Sequence, residues 1–372
     1  MNLAELRARL DGIDRRLLEL IAERQALAAS IAEVKRATGY PTRDFQRERD
    51  VLLAARATAV ELGIPESTAA AVLSLLIRSS LVAQEQAKVS AEGQGSGRSA
   101  LVIGGSGKMG RWFADFLASQ GFAVELADPV KPVASYRHRT RWQEGPLDQD
   151  LVVVATPVGI TDALLVELAA RRPPGIVFDI GSLKTPLRRG LTFLVDAGCN
   201  VTSLHPMFGP DTDLLSGRHV IFIDLGKPKA LAGAQALFAS TMAERVVMDL
   251  DQHDRLIAYV LGLSHALNIA FFTALAASGE AAPRLAQLSS TTFDAQLDVA
   301  TLVASESPQL YFEIQSLNQY GADSLDALAK ALDQLREVVR TRNETSFIDM
   351  MQRGREYLAG RTAVRQPAAS GS

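Results

Sequence analysis

Leu101-Val102-Ile103-Gly104-Gly105-Ser106-Gly107-Lys108-Met109-Gly110 is the stretch on which the fold turns. A short apolar run leads straight into a G-x-G-x-x-G that opens a helical stretch. Gly105, Gly107 and Gly110 allow a tight turn and let backbone N–H groups reach a pyrophosphate at a helix N-terminus, with Lys108 and Met109 in the variable positions. Asp128 ends the next apolar run. An acidic residue there accepts from a ribose 2′-hydroxyl and repels a 2′-phosphate, so the expected cofactor is NAD rather than NADP. Thr156, after the run at 151–155, falls at the carboxyl edge where such sheets bind ligands.

Outward from this stretch, apolar runs at 100–103, 123–127, 151–155, 176–180, 201–204, 220–223 and 245–248 alternate with helical stretches. That rhythm predicts a mostly parallel α/β sheet of the Rossmann kind over 100–250. Strands then vanish, and helices at 251–279, 283–304, 308–341 and 344–359 predict an all-helical unit over 251–360, with 361–372 as a disordered tail. Upstream, Leu3, Leu6, Leu10, Ile13, Leu17, Leu20, Arg24, Leu27, Ile31 and Val34 alternate spacings of three and four. This is a heptad seam on one helix about 50 Å long. Gly39-Tyr40-Pro41 stops it, and further helices over 42–62 and 66–86 complete an all-helical domain over 1–88. Residues 89–99, small and polar, read as a linker. The long first helix leaves apolar surface that two shorter ones cannot cover, so a homodimer is expected.

Composition excludes several classes. The 372 residues are 47% hydrophobic and 22% charged, with net charge −3, so neither a nucleic-acid nor a membrane partner is expected. Anionic ligands must therefore be held by a few placed cations. One uncharged stretch, 256–279, is long enough to span a bilayer, but Ser264, His265 and Asn268 lie at its centre, and it reads as a core or subunit-interface helix. A single cysteine, Cys199, and an N-terminus without an apolar signal block point to the cytoplasm. No metal-ligand spacing occurs.

Two groups of residues carry chemistry. His205, at the end of a strand beside the expected nicotinamide pocket, is an acid–base candidate, with a merely loop-pinning role left open. Arg24 interrupts the apolar seam, where a guanidinium is costly without an anionic partner. Lys35, eleven residues on, lies on the same helix face. Asp44, Arg47 and Glu48 share one face of the second helix, and Ser80 and Gln84 one face of the third.

The segment from Leu101 to about Leu358 resembles prephenate dehydrogenases, through GGSGKMG, DIGSLK and especially HPMFGPD. The resemblance implies that His205 bonds the substrate's ring hydroxyl and assists its deprotonation as hydride leaves for NAD. Ser182 would orient that histidine, Lys184 would line the same pocket, and His265 falls where relatives carry a substrate-site histidine. Residues 3–86 resemble the all-helical chorismate mutases, so the whole chain resembles the bifunctional chorismate mutase/prephenate dehydrogenases, called T-proteins. By that resemblance Arg24, Arg47 and an Arg7 from the partner subunit clamp the carboxylates of chorismate. Lys35 and Gln84 bond the ether oxygen, Glu48 with Asp44 nearby holds the C4 hydroxyl, and Ser80 supports a carboxylate. The relatives' inhibition by tyrosine implies tyrosine as an effector.

The resemblance frays in the last unit. The arginine with which relatives bind the ring carboxylate falls at Leu302, and a second falls at Asp294, which adds negative charge near a dicarboxylate site. Arg255 or Arg284 would have to compensate, or the substrate differs. The added carboxylate suits a ring amine, so a 4-amino-4-deoxychorismate mutase and 4-amino-4-deoxyprephenate dehydrogenase is the alternative to the chorismate and prephenate activities. A mutase carrying a non-catalytic module that senses NAD or tyrosine is an alternative of another class.

Overall fold

The computed structural model describes residues 2–130 and 134–365. Its contacts divide the chain into two units, Met1–His253 and Asp254–Ser372. The first begins with α1 (Leu3–Thr38), α2 (Phe45–Glu61) and α3 (Glu66–Ala91). Asn2 and Glu5 form a reciprocal capping box at the start of α1, and Gly39, at φ 72°, ends it in the left-handed conformation that glycine adopts without strain. No residue of α1 is buried within the chain, and Leu10, Ile13 and Val34 of its seam stay exposed. The heptad seam therefore lacks its covering partner in a single chain.

The sheet follows as β1 (Ser99–Ile103), β2 (Ala123–Ala127), β3 (Arg137–Arg139), β4 (Leu151–Val154), β5 (Ile176–Asp179), β6 (Asn200–Pro206), β7 (His219–Ile223) and β8 (Glu244–Met248). Its order is β3-β2-β1-β4-β5-β6-β7-β8. Every pairing is parallel except β6 with β7. All four residues of β4 are buried, as expected of a strand covered on both faces. The helices of this region are α4 (Lys108–Ser119), α5 (Val158–Arg171), α6 (Arg188–Asp196) and α7 (Pro228–Leu237). The sequence reading missed β3, an edge strand of Arg-His-Arg with no apolar run to mark it.

The expected linker at 89–99 is corrected. Helix α3 continues to Ala91, and Val89 joins the apolar core with Phe113, Phe116 and Phe122. A Cβ at Gly93 would lie 2.4 Å from the Gln120 carbonyl oxygen, and one at Gly95 2.2 Å from the Phe122 nitrogen. Glycine is used here for close backbone approach, not for flexibility. Glu85 of α3, also buried, accepts from the N–H groups of Leu215, at 2.8 Å, and Met242. Burial pushes its carboxyl above the ordinary value although both amides oppose the shift.

The second unit is all-helical. Helix α8 (Leu250–Ile257), whose first four residues belong to the first unit, passes through a π-helical turn, Ala258–Leu263, into α9 (Ser264–Ala277). Next come α10 (Ala282–Gln287), α11 (Thr291–Ala304), α12 (Pro308–Leu317), α13 (Gly321–Arg340) and α14 (Glu344–Arg365). Two expected helices are thus each split. Ser290 caps a fresh start at α11, and the extended backbone of Asn318 breaks 308–341. Helix α14 runs to Arg365, so 361–365 are helical and not part of a tail, and 366–372 lie outside the described residues. The uncharged stretch is not a core helix of one chain. Leu256, Tyr259 and Val260 are about half exposed, which leaves the interface reading. By length and composition alone, α3 and the Leu250–Ala277 stretch are long and apolar enough to cross a membrane.

Removing the Glu85 carboxylate strands two backbone donors. Glu85→Ala is expected to lower unfolding stability by about 2–4 kcal/mol, measured by urea denaturation, with Glu85→Gln losing less because it keeps one acceptor oxygen.

Candidate functional site

The carboxyl edge of the sheet gathers the residues expected to hold a dinucleotide. Gly107 is the N-cap of α4 and no side chain caps that end, which leaves first-turn N–H groups for an anion. A Cβ at Gly110 would lie 2.1 Å from the Gly104 carbonyl oxygen, so helix and turn meet backbone to backbone. Gly105 is buried in the same turn, against Leu126. Asp128, directly after β2, accepts from Ser106 N at 3.1 Å and Val130 N at 2.9 Å, which fixes its carboxylate against the glycine turn. Lys108 is exposed and Met109 packs on the core. Thr156 Oγ1 lies 2.7 Å from Thr161 Oγ1 at the end of β4. This arrangement fits a dinucleotide: a cradle only glycine can line, a helix N-terminus, and an acid set for a ribose.

His205 lies in β6 and is buried. Its Nδ1 is 2.9 Å from Nε2 of His253, which is itself fully buried on α8. Burial holds the His205 imidazole well below its ordinary pKa, and electrostatic repulsion by His253 and Lys184 pushes the same way. The ring is therefore neutral at pH 7 and able to take a proton.

Two expected roles change here. Lys184 does not line a pocket: its ammonium is fully buried, donating to Asp179 Oδ2 at 2.7 Å and to the Leu204 carbonyl at 2.6 Å. It braces the strand end that carries His205. Nor does Ser182 orient that ring, since no hydrogen bond joins the two among the described residues. His253 does so instead. Sequence reasoning passed over His253 because a pair separated by 48 positions leaves no local pattern.

In the helical domain, Arg24, Lys35, Arg47 and Glu48 converge with Ser80 and Gln84 on one cavity of about 400 Å³. Arg24 donates to Ser80 Oγ at 2.8 Å and to the Leu76 carbonyl at 3.0 Å. Lys35 Nζ donates to the Thr42 carbonyl at 2.9 Å. Gln84 is buried, and its Oε1 has no hydrogen-bond partner. Asp44 lines the cavity too but is committed as the N-cap of α2, accepting from Arg47 N. Arg7 is exposed and does not line the cavity; it lies 17 residues before Arg24, about 25 Å along the helix. Arg43, not foreseen, grips Glu48 through both oxygens at 2.8 Å.

In the second unit, the His265 ring sits 4.3 Å from that of Tyr311, and its Nδ1 is buried without a partner. Burial lowers its pKa. It lies two residues past the end of the π-helical turn, a feature frequent at functional sites. Asp294 is in the first turn of α11, where an acid complements the helix dipole, and it accepts from Ser289 Oγ. Its position is accounted for without a substrate. Leu302 is 69% exposed. Arg284 pairs with Glu280 at 3.8 Å, and Arg255 covers the Tyr320 ring at 5.4 Å.

The chorismate mutase type II family matches residues 6–85. The nucleotide-binding domain of prephenate dehydrogenase matches 134–247, downstream of the glycine turn, and the prephenate dehydrogenase dimerisation domain matches 249–353. The chain belongs to the bifunctional chorismate mutase/prephenate dehydrogenase family. A T-protein of Enterobacter agglomerans is 28% identical over 317 residues, 84% of this chain and 81% of that one. A 4-amino-4-deoxyprephenate dehydrogenase of Streptomyces pristinaespiralis is 28% identical over 262 residues, covering 66% of this chain and 86% of its own. The solved structure of an A. aeolicus prephenate dehydrogenase, in complex with hydroxyphenyl propionate and NAD+, shares the fold at TM-score 0.55 and 19% identity, covering 72% of this chain and 98% of that one.

For a dehydrogenase that relies on a neutral His205, His253→Ala should lower kcat by about 10–100-fold with unchanged NAD affinity. The acid limb of its pH–rate profile should move up, because the neighbouring ring that disfavours a protonated His205 is gone. Both are read from steady-state kinetics between pH 5 and 9. Stability should follow the same chemistry. Below about pH 6.5 the unfolded chain protonates this histidine and the folded one does not, so unfolding becomes easier as pH falls through that window.

Proposed function

We propose that the chain converts chorismate to prephenate in its helical first domain and then, with NAD, oxidatively decarboxylates prephenate to 4-hydroxyphenylpyruvate. The observation that carries the first half is the convergence of two arginines, a lysine and a glutamine on one cavity between three helices. That rearrangement is pericyclic and needs no nucleophile or proton transfer. It needs a compact diaxial conformer held in place and donors where charge develops on the breaking C–O bond. Arg24 and Arg47 hold the carboxylates, and Ser80 supports one of them through its bond to Arg24. Lys35 and the amide of Gln84 donate to the ether oxygen, and Glu48 accepts from the C4 hydroxyl. Arg7 reaches the cavity of the partner subunit in a dimer that covers the apolar seam of α1.

The second half rests on the neutral, buried His205. For Nε2 to accept a proton, Nδ1 must carry one and donate to His253, so the pair fixes the useful tautomer. His205 takes the hydroxyl proton of the substrate as hydride leaves the ring carbon and the ring carboxylate departs as CO2, and it returns that proton to the phenolate oxygen of the aromatised product. NAD, when bound, supplies the hydride acceptor. Gly105, Gly107 and Gly110 with the start of α4 hold its pyrophosphate, Asp128 its ribose, and Thr156 lines the edge beside it. Ser182 stays available to the substrate, and the family resemblance makes His265 a substrate-site histidine. Tyrosine acts as an effector of the dehydrogenase, and the enzyme works in the cytoplasm as a homodimer.

The similarity to a 4-amino-4-deoxyprephenate dehydrogenase favours a second reading, a substrate with a ring amine. Lys35→Ala is expected to abolish mutase turnover, a loss above 100-fold, while dehydrogenase kcat/KM on supplied prephenate stays within twofold. Equal loss of both activities would mean one shared site. Comparing dehydrogenase kcat/KM for prephenate and for 4-amino-4-deoxyprephenate decides the substrate: at least tenfold in favour of prephenate is expected, and the reverse ratio establishes the amine. NAD binding without NADH formation from either would make the module a sensor.

A further inference from the structure

Glu48 does not stand alone in the mutase cavity. Arg43, in the turn between α1 and α2, donates from Nε to one Glu48 oxygen and from the adjacent terminal nitrogen to the other, both at 2.8 Å. The remaining nitrogen donates to Ser216 Oγ at 2.7 Å, and the guanidinium lies 4.4 Å over the Phe45 ring. All three nitrogens are engaged, and the pair is largely sheltered, at 28% and 19% side-chain exposure. A bidentate fork of this kind fixes orientation as well as charge.

Ser216 belongs to the other catalytic domain. It lies in the segment joining β6, which carries His205, to β7. The same segment is tied to α3 twice more, by Arg78 to Asp213 at 3.1 Å and by Glu85 to Leu215 N at 2.8 Å. Helix α3 thus presents Ser80 and Gln84 to the mutase cavity, and Arg78 and Glu85 to the dehydrogenase segment.

We propose that Arg43 positions Glu48 and sets the mutase's preference for a ring hydroxyl over a ring ammonium, and that Ser216 of the dehydrogenase domain holds Arg43 in place for this task. A carboxylate gripped by a guanidinium has its charge balanced. It still accepts from a neutral hydroxyl, since each oxygen keeps a lone pair. A ring ammonium at the same place would meet the guanidinium's positive charge without a net negative charge to offset it. The inference rests on the reading that Glu48 faces the ring C4 substituent.

The test is mutase kcat/KM in the full-length dimer, with chorismate and with 4-amino-4-deoxychorismate, for the wild type, Arg43→Gln, Arg43→Lys and Ser216→Ala. Dehydrogenase kcat/KM on supplied prephenate reports that each variant is folded. Arg43→Gln should lose at least tenfold on chorismate and gain on the amine, moving the ratio of the two at least thirtyfold. Arg43→Lys should recover part of that ratio. Ser216→Ala should lose three- to tenfold on chorismate with dehydrogenase activity unchanged. An unaltered ratio in Arg43→Gln, or chorismate kinetics within twofold of wild type in Ser216→Ala, overturns the proposal. Lys35→Ala separates the two levels: if it too leaves mutase activity intact, the cavity itself has been misassigned, whereas loss there with an unaltered Arg43→Gln ratio refutes only the role of Arg43.

Discussion

One buried ammonium sets the dehydrogenase site. Lys184 has no exposure to solvent, and it joins the carboxylate of Asp179 at the end of β5 to the carbonyl of Leu204 in β6. Asp179 Oδ2 also accepts from Gly181 N at 2.8 Å, which shapes the turn that carries Ser182. A lone charge at this depth would be prohibitive, and losing one partner of such a pair costs about 3–5 kcal/mol. The network therefore locks two parallel strand ends in register, and the next residue along β6 is His205. The same positive charge, together with burial and His253, keeps that imidazole unprotonated. Strand register and acid–base chemistry thus share one cause.

The first domain solves a different problem by related means. Its reaction needs placed positive charge and no proton traffic, and two of the cavity's cations, Arg24 and Lys35, meet carbonyls and a hydroxyl instead of carboxylates. Arg24 and Lys35 each donate to a backbone carbonyl, which orients the charge without neutralising it. Glu48 is the exception, its charge balanced by Arg43. The two domains meet through the buried Glu85 and the Arg43–Ser216 contact, so each fixes groups that belong to the other. A fused chain of this design differs physically from two enzymes joined by a tether.

Much of this is legible in the amino-acid sequence, wherever the physics is local. A glycine spacing beside an apolar strand, and an acid at the end of the next, are short-range patterns. So is the recurrence of Arg24 and Lys35 on one helix face. The failures are of three physical kinds. Pairs such as His205 with His253, or Arg43 with Ser216, join positions 48 and 173 residues apart, and no periodicity announces them. Glycines at 93 and 95 look like flexibility until the backbone they press against is seen. The role of Lys184 could be named only as a charge in a pocket, because a sequence does not show whether a lysine turns inward to brace a strand. The breaks at Asn318 and before Ser290 were hidden by continuous helical periodicity on either side.

The central claim is that His205 is neutral because of where it is held. The direct measurement is the titration of its imidazole nitrogens by NMR in the 15N-histidine-labelled dimer without substrate, assigned with a His205→Asn variant. The account predicts a neutral ring still at pH 6, with the Nδ1 tautomer bearing the proton. A ring half-protonated at or above about pH 6.5, the value of a free histidine, would contradict it.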